Sequence, residues 1–386
     1  MQVMRLILLL SLSPFSYAQS PAPYQTPWQM QESGTTAGLR GIYSVDGTVA
    51  WASGTGGTVL RTTDGGAHWQ RCAVPDEKKD GATLDFRGVQ AWDAKTAIVM
   101  ASGKGSLSRL YKTTDGCLHW KILLYNPEKE GFWDALYFED HSPDVKFHNE
   151  TGWLLGDPVN GMFWLLKSQD YGQHWTKQKN VGLRVKPGTQ GAFAASNSSL
   201  IEYADFVKFG TGGLDGAFVY SVVQGSICVD DCPLKDMNLD GKDNKWQRQS
   251  TPLGHNNDSS GIFAIARFRF AELPEASQKL VIVGGDYTKP YESAGTAAWS
   301  SDDSEHWTAS TTPPHGFRSA VQWFEALKLW ITVGTNGSDV SRDDGKTWQP
   351  LDNGNWNALS LPFVVGPNGR IARINPAALP AGKIAP

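Results

Sequence analysis

Several motifs that mark large functional classes are missing from this sequence. It has no Cys-x-x-Cys-His motif, which excludes c-type haem attachment. No Gly-x-Gly-x-x-Gly motif joins a strand to a helix, which argues against a bound dinucleotide. The basic residues form no block and the net charge is −4, so nucleic acid is not an expected partner. After the N-terminal residues, no segment approaches the ~20 apolar residues that a membrane span needs.

The N-terminal residues have the pattern of a secretory signal. Arg5 is followed by an apolar run from Leu6 to Leu12, and then by Ser16-Tyr17-Ala18, which has small residues at the positions that a signal peptidase recognises. The sequence therefore predicts a signal peptide over residues 1–18 and a mature chain that starts at Gln19. We expect a periplasmic or secreted protein without a transmembrane segment after cleavage.

The sequence is rich in glycine and tryptophan, with 41 and 16 residues, which is typical of an all-β chain with many tight turns. One short pattern, an Asp followed by a glycine-containing turn and a closing Trp, recurs along the chain. Copies occupy residues 63–69, 114–120, 169–175, 302–307 and 342–348, the fourth being the weakest. Between copies, strand-like runs alternate with Gly turns. The unit of four short strands is one blade of a β-propeller.

The repeated residues are predicted to be structural. The Asp carboxylate can accept hydrogen bonds from turn amides, glycine supplies positive φ angles, and the Trp ring packs on the blade. The structural set comprises Asp64, Trp69, Asp115, Trp120, Asp170, Trp175, Trp307, Asp343 and Trp348. A histidine precedes four of the Trp residues, but these histidines belong to different blades and should lie too far apart for a metal site.

The closing Trp residues give the number of blades. The five copies supply five, Trp246 supplies one in the long gap before Trp307, and Trp28 supplies the seventh. Nothing precedes Trp28 that could form the rest of its blade, whereas residues 356–374 predict three strands without a closing Trp. We therefore predict one seven-bladed propeller over residues 19–386, of four-stranded antiparallel blades, closed by the N-terminal strand joining the last blade.

Residues 57–69, Gly-Thr-Val-Leu-Arg-Thr-Thr-Asp-Gly-Gly-Ala-His-Trp, resemble the blade signature of the photosystem II assembly and stability factors. These are the Ycf-type and HCF-type propellers with Asp-box (BNR-type) repeats. Residues 156–158, 194–198, 261–265 and 284–287 are similar to exported bacterial relatives of that group. The resemblance covers nearly the whole mature chain. It implies a non-catalytic protein that binds a protein or peptide partner, such as a subunit of a membrane complex, and assists the assembly or stability of an envelope or membrane complex.

The first strand of each blade should start at one face, the top, while the Asp-box turns lie on the opposite face. Candidate binding residues at the top are Arg40, Arg87, Arg318, Trp133, Asp157, Asp286 and Tyr287. Three arginines at one register could bind a carboxylate, a phosphate or an acidic peptide. Alternatively, each arginine pairs with a neighbouring Asp and ties adjacent blades together.

A glycan-binding protein or a sialidase-like glycoside hydrolase is the alternative function. Sialidases are Asp-box propellers that hold a carboxylate with three arginines, and Asp157 and Asp286 could act as acid and base. However, the sialidase Phe-Arg-Ile-Pro signature is absent, and Phe317-Arg318-Ser319-Ala320 retains only its first half. No residue is therefore assigned a catalytic role.

Blade four carries an insertion, at about residues 224–244, instead of a box. Its Cys228 and Cys232 could pair in an oxidising compartment, and the sequence leaves open whether Cys72 and Cys117, near the bottom of blades one and two, form a second bridge. The run Asp236, Asn238, Asp240 and Asp243 resembles the first half of a calcium loop, but Gln247 stands where a bidentate Glu is expected. A structural Ca²⁺ or a plain acidic turn both fit, and no other cofactor is expected.

Overall fold

The computed structural model describes residues 26–76, 78–138, 150–178, 180–203, 206–223, 244–268 and 278–379. The predicted signal peptide, Cys228 and Cys232, and the candidate calcium ligands Asp236, Asn238, Asp240 and Asp243 lie outside these ranges. No helix in the described ranges is long and apolar enough to cross a membrane. The helical segments found there are 3₁₀ turns, at Gly81–Thr83, Gly105–Leu107, Glu325–Leu327 and Pro376–Ala378.

Seven four-stranded antiparallel sheets form the blades of a β-propeller, as the repeat predicts. Blade 1 contains Leu39–Ser44, Ala50–Gly54, Val59–Thr62 and Gln70–Arg71; blade 2 contains Phe86–Ala91, Ala97–Ala101, Arg109–Thr113 and Lys121–Tyr125. Blade 3 contains Trp133–Phe138, Thr151–Val159, Met162–Gln169 and Thr176–Lys177; blade 4 contains Leu200–Tyr203, Phe206–Gly210, Phe218–Val223 and Gln247–Ser250. Blade 5 contains Ser260–Arg267, Leu280–Asp286, Ala297–Ser300 and Thr308–Ala309; blade 6 contains Ala320–Phe324, Leu329–Gly334, Gly337–Ser341 and Gln349–Asp352.

Blade 7 combines the two ends of the described chain. Its strands Ala358–Ser360, Phe363–Val365 and Ile371–Ile374 are followed by Trp28–Gln31, which pairs antiparallel with Ile371–Ile374. An extra parallel pair, Asn180–Val181 with Asn244–Lys245, lies beside blade 4. The first strand of every blade contacts the first strands of both neighbouring blades, and this chain of contacts returns to its start. These strands therefore line a central channel.

The hydrophobic core lies between the blades. One cluster joins Trp51 of blade 1 to Phe86 and Tyr111 of blade 2, and another joins Trp28 of blade 7 to Ile331 of blade 6. Trp246 packs into the core shared by blades 3 and 4. Because each interface is built from two blades, no blade buries its apolar faces alone.

The Asp-box turns share one pattern of hydrogen bonds. In blade 1, Thr62 Oγ1 donates to Asp64 Oδ1 at 2.9 Å, and the His68 amide donates to the same oxygen at 2.9 Å. Hydrogen bonds from His68 lower the pKa of Asp64 to about 2. Equivalent bonds surround Asp115, Asp170, Asp302 and Asp343. In each box, the residue four positions after the Asp donates its amide, so the carboxylate holds the turn.

A cation from one blade reaches the box turn of the next blade at several interfaces. Arg373 donates to the Gly65 carbonyl at 3.0 Å, and Lys112 donates to the Tyr171 carbonyl at 2.9 Å. Lys279 bonds to Asp344 at 2.7 Å. These contacts link the blades on the face that carries the boxes.

The most buried of these cations explains why the fourth box departs from the pattern. Lys208 of blade 4 is 2% exposed and donates to Ser304 Oγ at 2.9 Å, with Asp303 Oδ2 at 3.4 Å. The Tyr203 hydroxyl also hydrogen-bonds to Asp303. Asp303 and Ser304 both have positive φ, at 56° and 74°, where the other boxes use glycine in at least one position. Asp303 and Ser304 stand where other boxes have glycine, and both side chains contact Lys208.

A disulfide joins Cys72, just after the last strand of blade 1, to Cys117 in the box turn of blade 2, with a Cα–Cα distance of 5.3 Å. Both cysteines are buried. The sequence left this pairing open. The bond adds a covalent link between two neighbouring blades on the box face.

We predict that Lys208→Met destabilises the fold by about 3 kcal/mol, because it leaves the Asp303 carboxylate buried without its cation. Lys279→Met is the matched control, since its partner Asp344 is more exposed and the pair is worth at most about 1 kcal/mol. Free energies of unfolding from urea titrations measure both losses. An equal loss in the two variants would contradict the role assigned to Lys208.

Candidate binding site at the channel mouth

The strand pairing fixes which face carries the candidate residues. In blade 1, the end of the first strand, Ser44, pairs with Ala50, and Ala50 pairs with Thr62, which leads into the box. The boxes therefore lie on the face where the first strands end. The first strands start at the opposite face, the top, where Arg40, Arg87 and Trp133 lie.

Two of the three predicted arginines share one carboxylate. Arg87 Nε donates to Asp85 Oδ2 at 2.8 Å, and Arg40 Nε lies 3.8 Å from Asp85 Oδ1. The side chains of Arg40 and Arg87 remain 36% and 29% exposed. Asp85 thus ties blade 1 to blade 2, as the structural alternative predicts, and both guanidinium groups keep an exposed part at the mouth.

Arg318 is not available to a ligand, contrary to the prediction that three arginines project together. Its side chain is fully buried and forms a salt bridge with Asp339, which is also fully buried. It also donates to the Phe317 carbonyl, to Asn336 Oδ1 and to His315 Nδ1. Every nitrogen of the guanidinium therefore has a partner within blade 6, and Arg318 is a structural residue.

Asp286 is likewise held inside the fold rather than presented to a ligand. It is 2% exposed and accepts hydrogen bonds from Ser259, Asn257 and Thr288. Although burial opposes the shift, these bonds lower the pKa of Asp286 to about 2. A carboxylate in this environment fixes the top loop of blade 5. The next residue, Tyr287, instead faces solvent and is 52% exposed.

Blade 3 places two carboxyl groups together beneath the mouth. Trp133 and Asp134 are both 1% exposed, so neither reaches solvent. Burial, together with the charge of Asp157, raises the pKa of Asp134 well above its ordinary value. Burial also raises the pKa of Asp157 to about 6, although its Oδ1 accepts the Ala192 amide at 3.0 Å. Asp134 is shielded from solvent, and Asp157 holds the backbone of Ala192, so we assign the pair a structural role.

The channel mouth is crossed by Ala192–Ser198, which we call the crossing segment. It leads into the first strand of blade 4, but it bonds to blades on both sides of the channel. Ala194 accepts from Arg87 of blade 2 at 3.2 Å, and Asn197 Oδ1 accepts from the Leu136 amide of blade 3 at 2.7 Å. Ser196 Oγ donates to the Ser319 carbonyl beside blade 6 at 2.6 Å. Blades 2 and 6 are not neighbours of blade 4, so the segment spans the channel.

An aromatic cluster lies where the crossing segment meets blade 5. Phe193 stacks on Phe263, with ring centroids 4.0 Å apart, and Phe263 also contacts Phe317 and Tyr287 at 4.7 and 6.2 Å. Phe263 and Phe317 are buried, whereas Phe193 is half-buried and Tyr287 is exposed. The cluster therefore presents Phe193 and Tyr287 to solvent on a rigid aromatic base.

Phe193 does not belong to the first strand of blade 4. The strand starts at Leu200, and Phe193 precedes it in the crossing segment. Close backbone approach makes room for its ring: a Cβ on Gly261, whose φ is +158°, would lie 2.9 Å from the Phe193 ring and 2.4 Å from Gly212. The glycines at 212 and 261 were the available sequence signal for this approach.

Two residues named for a sialidase-like enzyme, Arg318 and Asp286, are not presented to a ligand at this mouth. Arg318 and Asp286 are enclosed by their own partners, and Asp157 binds the backbone of the crossing segment. Within the described ranges, no group of three or more His, Cys, Asp and Glu residues could hold a metal ion. The residues that remain accessible are Arg40, Arg87, Phe193 and Tyr287, which suit binding.

Comparison with known proteins identifies the fold. No protein-family model matches the chain, and no curated protein matches it. Among solved structures, Ycf48 from Cyanidioschyzon merolae has a TM-score of 0.57 at 18% identity, covering 91% of this chain and 100% of that one. Ycf48 bound to D1 peptide has a TM-score of 0.53 at 16% identity, covering 92% and 96%. A GH74 xyloglucanase from Xanthomonas campestris has a TM-score of 0.35 at 14% identity, covering 82% and 50%. The chain thus shares the fold of the Ycf48 structures.

Asp157 and Asp286 predict opposite responses to pH. The folded-state pKa of Asp157 is raised, so its contribution to stability is full below about pH 4 and falls as pH rises to about 6. Asp157→Asn should therefore stabilise the protein at pH 7, by about 3 kcal/mol, and have little effect at pH 4. The free energy of unfolding at the two pH values measures this.

Asp286→Asn is the matched comparison. Its folded-state pKa is lowered, so its contribution is present above about pH 4 and is lost as pH falls towards 2. The variant should lose about 2 kcal/mol at pH 7. An Asp157→Asn protein no more stable than the wild type at pH 7 would refute the account of the carboxylate pair.

Proposed function

We propose that this protein is a non-catalytic β-propeller that binds a peptide or an extended segment of a protein partner at the channel mouth. One observation carries the proposal: exposed Tyr287 and half-buried Phe193 stand on a buried aromatic base, and Arg87 donates to the carbonyl of Ala194, the residue after Phe193. Exposed aromatic and arginine side chains on a rigid support are the residues that most often dominate protein recognition.

The chemistry of the mouth favours a ligand with an apolar side chain and a carboxylate. Arg40 and Arg87 are partly exposed there, and guanidinium groups bind carboxylates well. The crossing segment lies across the channel, so we expect the ligand to lie on the mouth rather than thread through it. One Ycf48 structure with this fold is described as bound to D1 peptide, which supports a peptide as the ligand class.

We further propose that the protein is an exported bacterial relative of the Ycf-type assembly factors and assists assembly or stability of an envelope or membrane complex. The fold shared with the Ycf48 structures and the blade signature at residues 57–69 support this relationship. The Cys72–Cys117 disulfide supports export, because such bonds persist mainly in oxidising compartments.

Binding is tested with the wild-type protein as bait for envelope extract, followed by affinity measurement on the captured partner. Tyr287→Ala and Arg87→Ala should each weaken the affinity about tenfold, since each removes an anchor worth about 1.4 kcal/mol. Tyr171→Ala and Arg71→Ala are the controls. Tyr171 is 37% exposed on the box face, and Arg71 lies exposed in the outermost strand of blade 1.

Control variants that weaken binding as much as the mouth variants would contradict a site at the mouth. Capture of no partner, or of one that binds all variants equally, would overturn the proposed function. Turnover of aryl glycosides by the wild-type protein would instead favour a glycosidase.

Export is tested by fractionation of the producing cells and by the intact mass of the recovered protein. We expect recovery outside the cytoplasm, with a chain that begins at Gln19 and an oxidised Cys72–Cys117 pair. Recovery from the cytoplasm with residues 1–18 still attached would contradict the predicted signal peptide.

A further inference from the structure

The main chain is held on both sides of Phe193 by side chains of other blades. Asp157 Oδ1 of blade 3 accepts the amide of Ala192, the residue before Phe193, at 3.0 Å. Arg87 of blade 2 donates to the carbonyl of Ala194, the residue after Phe193, at 3.2 Å. Side chains that contact a ligand need such supporting hydrogen bonds to keep a defined position. The position of the Phe193 ring therefore depends on these two bonds.

The Phe193 ring has little room to move. It stacks on Phe263 with the ring centroids 4.0 Å apart and an interplanar angle of 16°. A Cβ on Gly212 or Gly261 would lie only 2.7 or 2.9 Å from the edge of the same ring. A shift of the main chain beside Phe193 would therefore disturb the stack on which the exposed part of the aromatic cluster depends.

Asp157 reaches the crossing segment because a glycine precedes Ala192. A Cβ on Gly191 would lie 3.0 Å from Asp157 Oδ1, closer than side chains normally come. Gly191 also exchanges two main-chain hydrogen bonds with Gly212, at 3.1 and 3.0 Å. The chain is thus already fixed before Ala192, and the bond from Asp157 sets how it continues into Phe193.

Asp157 is the member of the buried carboxyl pair that carries charge near neutral pH. Burial and the charge of Asp157 raise the pKa of Asp134 well above its ordinary value, so Asp134 favours its neutral form. Burial raises the pKa of Asp157 to about 6, against the opposing effect of the Ala192 amide. Arg87 on blade 2 is the cation whose charge acts on Asp134, and residues 190–195 contain no titratable side chain.

We propose that Asp157 is a positioning residue of the binding site at the channel mouth, which holds Phe193 in place for the ligand through the Ala192 amide. The ionised carboxylate is the better acceptor, because hydrogen bonds to ionised groups are roughly twice as strong as neutral ones. Proton uptake by Asp157 therefore loosens Phe193 and weakens ligand binding. The inference rests on the proposed function and adds a proton-linked control of its site.

The proton on Asp157 should affect stability and binding in opposite directions. Because the pKa of Asp157 is raised in the folded state, acid favours folding. The same proton removes the charge that holds the Ala192 amide, so acid disfavours binding. Conversely, a ligand that needs the held form should displace the proton, and binding near pH 6 should release protons to the solvent. A purely structural carboxylate would change stability with pH and leave affinity unchanged.

The first measurement follows Phe193 without a ligand. The full-length mature protein is labelled with 4-fluorophenylalanine, and the fluorine NMR signal that disappears in Phe193→Leu is assigned to Phe193. In the wild type, this signal should shift with pH, with a midpoint near pH 6. Asp157→Asn keeps an acceptor oxygen but does not titrate, so its signal should stay constant from pH 5 to 7.5. Asp157→Ala lacks the acceptor, so its signal should differ at every pH from that of the wild type at pH 7.5.

The second measurement is the affinity for the partner captured from envelope extract. The wild-type affinity should be about fivefold weaker at pH 5 than at pH 7.5, because the bond to the Ala192 amide loses its charge assistance. Asp157→Asn should bind about equally at the two pH values, and Asp157→Ala should bind about tenfold more weakly than the wild type at pH 7.5. Calorimetry at pH 6 in buffers of different ionisation enthalpy should detect proton release by the wild type and none by Asp157→Asn.

Ser196→Ala is the matched control within the crossing segment. Ser196 Oγ donates to the Ser319 carbonyl at 2.6 Å, so the variant removes one bond of the segment but neither of those beside Phe193. It should keep both the fluorine shift with pH and the pH dependence of affinity. Thermal unfolding shows whether each variant is folded. Loss of the pH dependence in Ser196→Ala would contradict the specific role of Asp157.

The outcomes separate this inference from the proposed function. A Phe193 signal that does not change with pH, or that changes equally in Asp157→Asn, would overturn the inference. A partner that binds Asp157→Ala as tightly as the wild type would also overturn it, while dependence on Tyr287 and Arg87 would still support the proposed function. If no partner is captured, the proposed function fails, and the fluorine signal alone decides whether Asp157 holds Phe193.

Discussion

The antiparallel pairing of Trp28–Gln31 with Ile371–Ile374 is the interaction on which the rest of the molecule depends. Without it, blade 7 would have three strands and an open edge, and Trp28 would leave the core that blades 6 and 7 share. Once the ring of first strands has a fixed diameter, the single crossing segment can bond to residues of blades 2, 3 and 6 at the same time. The diameter of the ring thus determines whether one segment can cover the channel mouth.

The sequence predicted the fold well because the fold is repetitive. Each of the five boxes combines an Asp that holds a turn with a Trp that packs against a core cluster, and four of them use a glycine with positive φ, so the copies indicate the same local structure. Trp28 and Trp246 were recognisable as the remaining closing residues because spacing demanded them. The sequence did not explain Asp303 and Ser304 in the weakest box, because both residues bind Lys208, which lies some 95 residues earlier in the chain.

The candidate site was harder to predict, because it depends on which charges pair. A common register placed Arg40, Arg87 and Arg318 together, but register says nothing about Asp339, which lies on another strand and encloses Arg318. Similarly, Asp286 and Tyr287 are adjacent in sequence yet have opposite roles, one anchoring its loop and the other reaching solvent. The crossing segment was not predicted, because its small residues form no strong sequence pattern. Its path across the channel is evident only from its contacts with other blades.

The closing strand pair has a mechanical consequence. Trp28 pairs with Ile374, and Gln31 pairs with Ile371, so the two ends of the propeller leave from the same end of the pair. Tension applied through the two termini would therefore peel these hydrogen bonds apart one after another instead of loading them together. Between blades 1 and 2, by contrast, the Cys72–Cys117 bond carries load covalently. Under force the ring should open first at blade 7. The interface between blades 1 and 2, which the disulfide links, should be among the parts that remain intact after blade 7 has opened.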